Sequence, residues 1–310
     1  MHTTTVTPGI VRTEVPVDGP FDLSASVRFL EAFTPAARAD AADEDGALRL
    51  AFPVEGGWRH AGALVRQRAP GTVEIEVRAP DPDAALAQVR RILSVDVPGT
   101  GFEAIGARDE VVGPLQRRYP GLRPVLFHSP YEAACWAVIG QRLRMTQAAQ
   151  VKRRIAERYG EQVVVGGRSL PSFPAPRVLG ELPQVLGLPA IKIRRLHAVA
   201  AAAERGELEP GALRELSVAD ALERLRELPG IGPFSAQLIL VRGAGHPDVF
   251  PRDERRLADE MRVRYGLPEA TVDELAGIAE SWRPFRSWVG LLLRVDRERR
   301  TGEIGGASGK

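Results

Sequence analysis

The sequence predicts an α+β fold, in which an N-terminal antiparallel sheet with helices precedes an all-helical domain. Short apolar runs separated by glycine turns predict the sheet. Apolar residues at helical spacing, which dominate from about residue 104 onward, predict the helices. The chain has 310 residues, of which 44% are hydrophobic and 26% charged, and this composition is typical of a globular protein of about two domains.

The first hundred residues predict four strands and two helices. Turn signals at Gly56-Gly57 and Pro70-Gly71 separate the later strands, as hairpins require. The strand candidates are residues 10–17, 47–52, 58–67 and 72–78. Helical spacing of apolar side chains predicts one helix over residues 23–33 and another that begins at residues 80–83. We expect one α+β domain over residues 1–104.

Helical patterns fill the rest of the chain and are joined by short connections. A step at Gly140-Gln141 divides the first of them. The predicted helices cover residues 130–158, 190–204, 218–225, 233–241, 253–265, 272–282 and 285–296. We expect a compact helical domain over residues 105–300 and a disordered tail over residues 301–310.

Charge and cysteine content restrict the function classes. Residues 1–127 carry 14 basic and 17 acidic side chains, whereas residues 128–310 carry 28 and 23, so the C-terminal part is suited to an anionic partner. The single cysteine, Cys135, excludes a disulfide framework, a four-cysteine zinc site and a cysteine-ligated iron–sulfur cluster. No signal peptide or membrane-spanning window is visible, so we expect a cytoplasmic protein without membrane partners.

The segment Leu228-Pro-Gly-Ile-Gly-Pro233 lies between two predicted helices and is the most informative part of the sequence. Gly230 and Gly232 allow unusual backbone conformations and let backbone N–H groups approach a phosphate closely. Pro233 suits the first position of the second helix, whose N-terminus favours an anion. Ile231 would anchor the turn in the core. This pattern is the helix-hairpin-helix signature, a sequence-independent grip on the DNA backbone; the alternative is an ordinary tight turn between helices.

A carboxylate pair follows the hairpin at a fixed distance. The loop 242–248 contains glycine and proline, and Asp253 and Glu254 come after it at a predicted helix start, 21 residues from Gly232 to Asp253. This order resembles the helix-hairpin-helix superfamily of DNA glycosylases. Further segments resemble its AlkA-type branch, 3-methyladenine DNA glycosylase II. They are Phe21-Asp-Leu-Ser24, Ala137-Val-Ile-Gly-Gln141, Leu186-Gly-Leu-Pro-Ala190 with Lys192 and Arg195, and Trp282-Arg-Pro-Phe-Arg-Ser287.

The resemblance implies a TBP-like N-terminal domain and excision of damaged bases, mainly alkylated purines such as 3-methyladenine and 7-methylguanine. A carboxylate next to the sugar would stabilise the oxocarbenium-like transition state once the base is flipped out. In this branch that residue is aspartate, but here Glu254 stands in its column and Asp253 precedes it. Three alternatives remain open. Glu254 is the catalytic carboxylate and Asp253 is structural, or Asp253 is catalytic and Glu254 is structural, or neither residue is catalytic.

The resemblance also places the base pocket at Phe234, Leu238 and Arg294. Trp288 is a further candidate for an aromatic wall, although tryptophans at helical spacing are more often core residues. Superfamily members that cleave the backbone have a Schiff-base lysine where Phe234 stands, so we expect no lyase activity.

Several residues are candidates for DNA contact. The run from Gln141 through Arg142 and Leu143 to Arg144 is a candidate minor-groove wedge, with a solvated basic loop as the alternative. The remaining candidates are Ser235, beside the hairpin, and Arg252, Arg255 and Arg256, which flank the carboxylates or form a solvated helix face.

We expect double-stranded DNA with damaged bases as the partner of a nucleoid-associated monomer. We expect no organic cofactor and no transition-metal site; the resemblance allows a structural Na⁺ or K⁺ at hairpin residues 228–233. The rival interpretations are a DNA-damage binder that has lost catalysis and a glycosylase for bulky adducts.

Overall fold

The computed structural model describes residues 9–32, 46–185 and 187–302. They form a four-stranded antiparallel sheet of order β1-β4-β3-β2, a separate two-stranded hairpin, and a packed set of helices, which confirms the α+β class. The strands are β1 Gly9–Pro16, β2 Leu48–Pro53, β3 His60–Ala69, β4 Thr72–Ala79, β5 Gln162–Val165 and β6 Arg168–Pro171.

The helices follow the sheet except for the first, which connects β1 to β2 in the chain. They are α1 Leu23–Ala32, α2 Pro82–Ile92, α3 Phe102–Arg108, α4 Val112–Arg118, α5 Pro130–Gly140, α6 Met145–Tyr159, α7 Pro176–Gly180, α8 Ala190–Glu204, α9 Pro210–Glu215, α10 Val218–Arg226, α11 Pro233–Leu238, α12 Arg255–Tyr265, α13 Val272–Ala279 and α14 Arg286–Thr301. A π-helical turn, Ile239–Ala244, extends α11. A 3-10 turn, Glu280–Trp282, extends α13.

The N-terminal sheet buries one face because its side chains alternate. In β4, Val73, Ile75 and Val77 are fully buried while the residues between them are partly exposed. Helix α2 packs on β4 and β1 with Ala85 and Val89, which are also fully buried.

The hairpin β5–β6 corrects the expectation that strands end near residue 104. It packs against the N-terminal sheet, and β3 accommodates it at Gly62, where an added Cβ would lie 2.6 Å from a methyl group of Val165. Gly166 and Gly167 form the turn with positive φ angles of 54° and 81°, as a two-residue hairpin prefers. The valine run before these glycines was the signal that the periodicity analysis missed.

Two helix boundaries also differ from the predictions. Helix α12 begins at Arg255 rather than at residue 253, because Glu254 is its N-cap. Helix α14 continues to Thr301, the first residue of the predicted tail. Residues 303–310, like residues 1–8, 33–45 and 186, lie outside the described part of the chain, so the tail prediction is not tested there.

Two buried arginines bridge segments that are far apart in the chain. Arg123 is 1% exposed and donates hydrogen bonds to the carbonyl groups of Pro20 and Ser94 at 2.9 and 3.0 Å, and burial lowers its pKa to about 10. Arg91 of α2 donates to the carbonyl of Gly243, beyond α11, at 2.5 Å. The Arg91 contact fixes the N-terminal unit against the segment that follows the hairpin. Within the described ranges, every helix is too short or too polar to cross a bilayer.

Candidate functional site

The hairpin predicted at residues 228–233 joins α10 to α11 and has the expected geometry. Gly230 has φ +90°, and a Cβ there would meet Cδ of Arg195 at 2.5 Å, so the position requires glycine. Ile231 is 5% exposed and packs in the helical core, as predicted. Gly232 has open space where its Cβ would stand, and Pro233 is the first residue of α11. The Gly232 backbone is therefore open to approach by a ligand.

The predicted wedge loop lies directly beside this hairpin, and Gln141 joins the two. Its side-chain amide donates to the carbonyl of Gly230 at 2.6 Å and accepts from Arg195 at 2.5 Å. Lys192 donates to the backbone carbonyls of Gln141 at 2.6 Å and Ile139 at 2.7 Å. The Gln141 side chain is thus bonded within the protein through both its amide nitrogen and its oxygen, so it positions the loop. Its predicted contact with DNA stays a prediction.

The residues after Gln141 differ in exposure. Arg142 is exposed and has φ +55°, a left-handed conformation that is unusual for arginine and turns the chain sharply at this point. Leu143 is half-buried and packs against the helical core. Arg144 is exposed. Arg142 and Arg144 are therefore both exposed on this loop, Arg142 in the left-handed conformation, while Leu143 anchors the loop.

The carboxylate turn is attached to the hairpin helix. The side-chain oxygen of Gln237, a 6% exposed residue of α11, accepts a hydrogen bond from the backbone N–H of Asp253 at 3.0 Å. Asp253 itself is exposed. Glu254 accepts from the N–H of Arg256 at 3.3 Å and caps α12. Asp253 lies outside the helix and does not cap it, because α12 begins at Arg255, directly after Glu254.

The candidate pocket residues separate into two groups. Phe234 lies one turn before Gln237 on α11, and Leu238 follows Gln237 directly. Phe234 is 47% exposed and Leu238 is half-buried. Arg294 of α14 places its Nε 3.9 Å from Oε1 of Glu254. Arg294 therefore borders the carboxylate turn, and the helix that carries Phe234 and Leu238 is bonded to the same turn through Gln237.

Trp288 is a core residue, which corrects its assignment to the pocket. It is 2% exposed, and its ring packs against Phe102 and Phe285 with centroids 5.2 and 4.9 Å away. The guanidinium of Arg123 lies 5.1 Å above it. The large side chain of Trp288 fills the space between α3 and α14, as expected of most tryptophans at helical spacing.

The basic residues around the carboxylates are not equivalent. Arg252 forms an ion pair with Asp273 at the start of α13, so part of its charge is already neutralised. Arg255 is exposed on the first turn of α12, and Arg256 is half-buried. Ser235 is half-buried on the first turn of α11. Arg255 is the most accessible of these candidates for a phosphate contact.

Sequence reasoning missed the residues that hold this site together. Gln237 is one polar residue in a mostly apolar helix, so its role was not evident from the sequence. No local pattern indicates its partner, the backbone N–H of Asp253, which lies 16 residues away in the chain. Ser287 accepts from the N–H of Val249 at 3.0 Å and donates to the carbonyl of His246 at 2.8 Å. It thereby fixes the loop before the carboxylates, which gives a structural purpose to the segment 282–287.

Comparison with known proteins identifies the family. No protein-family model matches the chain. A relative that matches along most of both chains is DNA-3-methyladenine glycosylase 2 of Escherichia coli (strain K12), which is 30% identical over 286 residues, 89% of this chain and 93% of the relative. The chain belongs to the AlkA-type helix-hairpin-helix DNA glycosylase family. This confirms the resemblance drawn from the motifs.

Other AlkA-type relatives and solved structures agree. The DNA-3-methyladenine glycosylase of Bacillus subtilis (strain 168) is 25% identical over 199 residues, which are 63% of this chain and 66% of the relative. The 3-methyladenine DNA glycosylase of Archaeoglobus fulgidus shares the fold with a TM-score of 0.74 at 21% identity, covering 94% and 99% of the two chains. An 8-oxoguanine glycosylase/lyase of Clostridium acetobutylicum, solved with double-stranded DNA, shares it at 0.62 and 15% identity over 94% and 98%.

Proposed function

We propose that this chain is a monofunctional glycosylase of base excision repair. It flips alkylated purines, such as 3-methyladenine, 7-methylguanine or related adducts, out of double-stranded DNA and hydrolyses the N-glycosidic bond to leave an abasic site. The observation that carries the proposal is the position of Glu254. It caps α12 directly after Asp253, whose backbone N–H is bonded to Gln237 of the hairpin helix, and the same helix carries the exposed ring of Phe234.

The geometry supports a dissociative hydrolysis. As the bond between C1′ and the purine nitrogen breaks, its electron pair leaves with the base and the sugar becomes oxocarbenium-like. An ionised Glu254 beside that sugar stabilises the positive charge and orients the water that adds to C1′. Phe234 provides an exposed ring on which a flipped base can stack.

Of the two carboxylates, we assign the catalytic role to Glu254. Its side chain is 24% exposed and bordered by Arg294, so it lies in a recess where electrostatic effects are stronger than at the surface. Asp253 is exposed, and it joins the site through its backbone N–H. We keep Asp253 as the residue against which this assignment is tested.

We also propose that the enzyme has no lyase activity. Phe234 offers no amine. The lysine nearest to the hairpin in the network above, Lys192, is 7% exposed and donates to the two carbonyl groups at the end of α5. Treatment with borohydride during turnover should therefore trap no covalent complex with DNA, whereas a trapped complex would contradict this part of the proposal.

Binding to the duplex is assigned to the hairpin backbone at Gly232, to Ser235 and Arg255, and to Arg142 as the wedge in the minor groove. A monovalent cation at the hairpin remains part of the proposal: the carbonyl of Gly230 already accepts from Gln141, but a carbonyl oxygen has a second lone pair for an ion. We also propose that the protein is a monomer and that its N-terminal domain is TBP-like. Nucleoid association in the cytoplasm is also proposed.

The decisive experiment is single-turnover base release from duplexes with one 7-methylguanine or 3-methyladenine, detected as alkali-labile abasic sites. We expect Glu254→Gln, which keeps the capping oxygen, to lower the rate at least 100-fold, and Asp253→Asn to lower it less than tenfold. The reverse order would assign catalysis to Asp253. DNA binding without release of any base would favour the non-catalytic binder, and release of only larger adducts would favour the bulky-adduct alternative.

A further inference from the structure

A half-buried arginine lies beside the proposed catalytic carboxylate. Arg294 of α14 places its Nε 3.9 Å from Oε1 of Glu254, and the exposed fractions of the two side chains are 18% and 24%. A guanidinium stays protonated in proteins, so this positive charge is permanent. The carboxylate and its neighbour are therefore close to neutral together, whereas Glu254 alone would carry one negative charge.

The guanidinium of Arg294 has a hydrogen-bond donor that the described part of the protein does not use. Its Nη1 atom is buried and, in the described ranges, has no hydrogen-bond partner. Burial lowers the pKa of Arg294, while the charge of Glu254 acts in the opposite direction. The separation of 3.9 Å is longer than a good hydrogen bond, so the two groups attract each other without consuming the donors of the arginine.

We propose that Arg294 is a specificity-determining residue, which raises the rate of excision of neutral purine lesions relative to that of alkylated purines with a positive charge on the ring. This inference rests on the proposed function, because it takes Glu254 as the residue next to the reacting sugar. The base is bonded directly to that sugar, so a charge on the base lies within the range at which the charge of Arg294 acts in a partly buried site.

The leaving group gives the chemical reason. When C1′–N9 breaks, the electron pair stays on the base, so a neutral purine becomes anionic unless it is protonated, and a purine alkylated at N3 or N7 becomes neutral. A nearby guanidinium stabilises a developing anion and destabilises a cationic ground state held beside it. A neutral purine such as hypoxanthine also keeps O6 and N7 as acceptors, the pair of atoms that arginine recognises with two hydrogen bonds on guanine. Alkylation at N7 removes one of them.

The test compares Arg294→Met with the wild type on two duplexes, one with hypoxanthine and one with 7-methylguanine, by single-turnover base release at saturating enzyme. We expect the rate on hypoxanthine to fall at least tenfold more than the rate on 7-methylguanine. Arg294→Lys, which keeps the charge, should retain most of the wild-type ratio between the two substrates. Arg12→Met, which removes an exposed arginine of β1, is the control for a general loss of positive charge.

The ratio distinguishes specificity from folding, because a structural defect lowers both rates together. An equal change on the two duplexes, or a greater loss on 7-methylguanine, overturns the inference while leaving the proposed function intact. If the wild type releases neither base although it binds both duplexes, the proposed function fails and the inference fails with it. Thermal unfolding of Arg294→Met confirms that the variant is folded when its rates are measured.

Discussion

Gln237 accepts a hydrogen bond from the backbone N–H of Asp253 at 3.0 Å, and this single contact attaches the carboxylate turn to the hairpin helix. The same helix begins at the turn proposed to hold the DNA backbone. The distance between the turn proposed to hold phosphate and the proposed catalytic group therefore depends on this short helix and on the side chain of Gln237. Because Gln237 is 6% exposed, water cannot easily replace it.

Replacing Gln237 with methionine should misplace the carboxylates. The N–H of Asp253 would lose its partner, which costs about 1–3 kcal/mol when the group remains buried. We expect base release to fall about 10–100-fold in single-turnover assays, with DNA affinity changed less than threefold. Gln67→Met is the matched control, since Gln67 also accepts from a backbone N–H, that of Leu23, in the N-terminal unit. Equal losses of activity in both variants would contradict a positioning role for Gln237.

The two hairpin glycines should respond differently to alanine. Gly230→Ala forces a Cβ against Arg195 at a φ of +90°, so we expect a loss of stability of about 1–3 kcal/mol, measured by urea unfolding. Gly232→Ala meets no atom within 4 Å, and its stability should fall by less than about 1 kcal/mol. Its methyl group would nevertheless stand on the open face, where a phosphate approaches, and weaken DNA binding several-fold in fluorescence anisotropy. Unchanged affinity would place the phosphate elsewhere.

Arg142 should act at the flipping step. It is exposed in a left-handed conformation next to the hairpin, so its removal takes away the group that fills the space of the flipped nucleotide. We expect Arg142→Ala to slow base release from a fully paired duplex at least tenfold. The effect should shrink to less than threefold when the lesion faces an abasic site, because the lesion is then already unpaired. A loss that is equal on both duplexes would indicate a phosphate contact instead.

The buried pair of Lys152 and Glu132 should control acid stability. Burial would raise the pKa of Glu132, but Lys152 at 2.5 Å and His128 at 3.1 Å outweigh it and hold this pKa well below its ordinary value. A depressed pKa contributes stability above about pH 4.3, the ordinary value of a glutamate, and this contribution is lost as the pH falls. Lys152→Met should therefore cost about 3–5 kcal/mol at pH 7, and less toward pH 4.

Urea unfolding at pH 7, 5 and 4 measures this difference. Arg153→Met, which breaks an exposed pair with Glu157, should cost less than about 1 kcal/mol at every pH. The double variant Lys152→Met with Glu132→Gln should recover part of the loss, because no unpaired charge is then buried. A constant difference between wild type and Lys152→Met across this pH range would show that lost packing, and not charge, explains the effect.

Local chemistry made several features predictable. The helix boundaries near Ser217 and Pro233, the positive φ of Gly230 and the burial of Ile231 follow from short-range rules for caps, turns and apolar spacing. The same rules did not predict β5–β6. The valines of this hairpin lie in the part of the chain that was predicted to be helical, although two adjacent glycines indicate a hairpin turn.

The sequence by itself determined the α+β class, the hairpin and the succession of hairpin and carboxylates, because each depends on residues close together in the chain. Only the tertiary structure decided which residues meet. In the structure, Glu254 caps α12 and Trp288 lies in the core. Gln141 is bonded to the hairpin, and Arg294 lies next to the carboxylate of Glu254. Each of these depends on partners far apart in sequence, and contact across such distances is set by the packing of whole helices and not by local propensity.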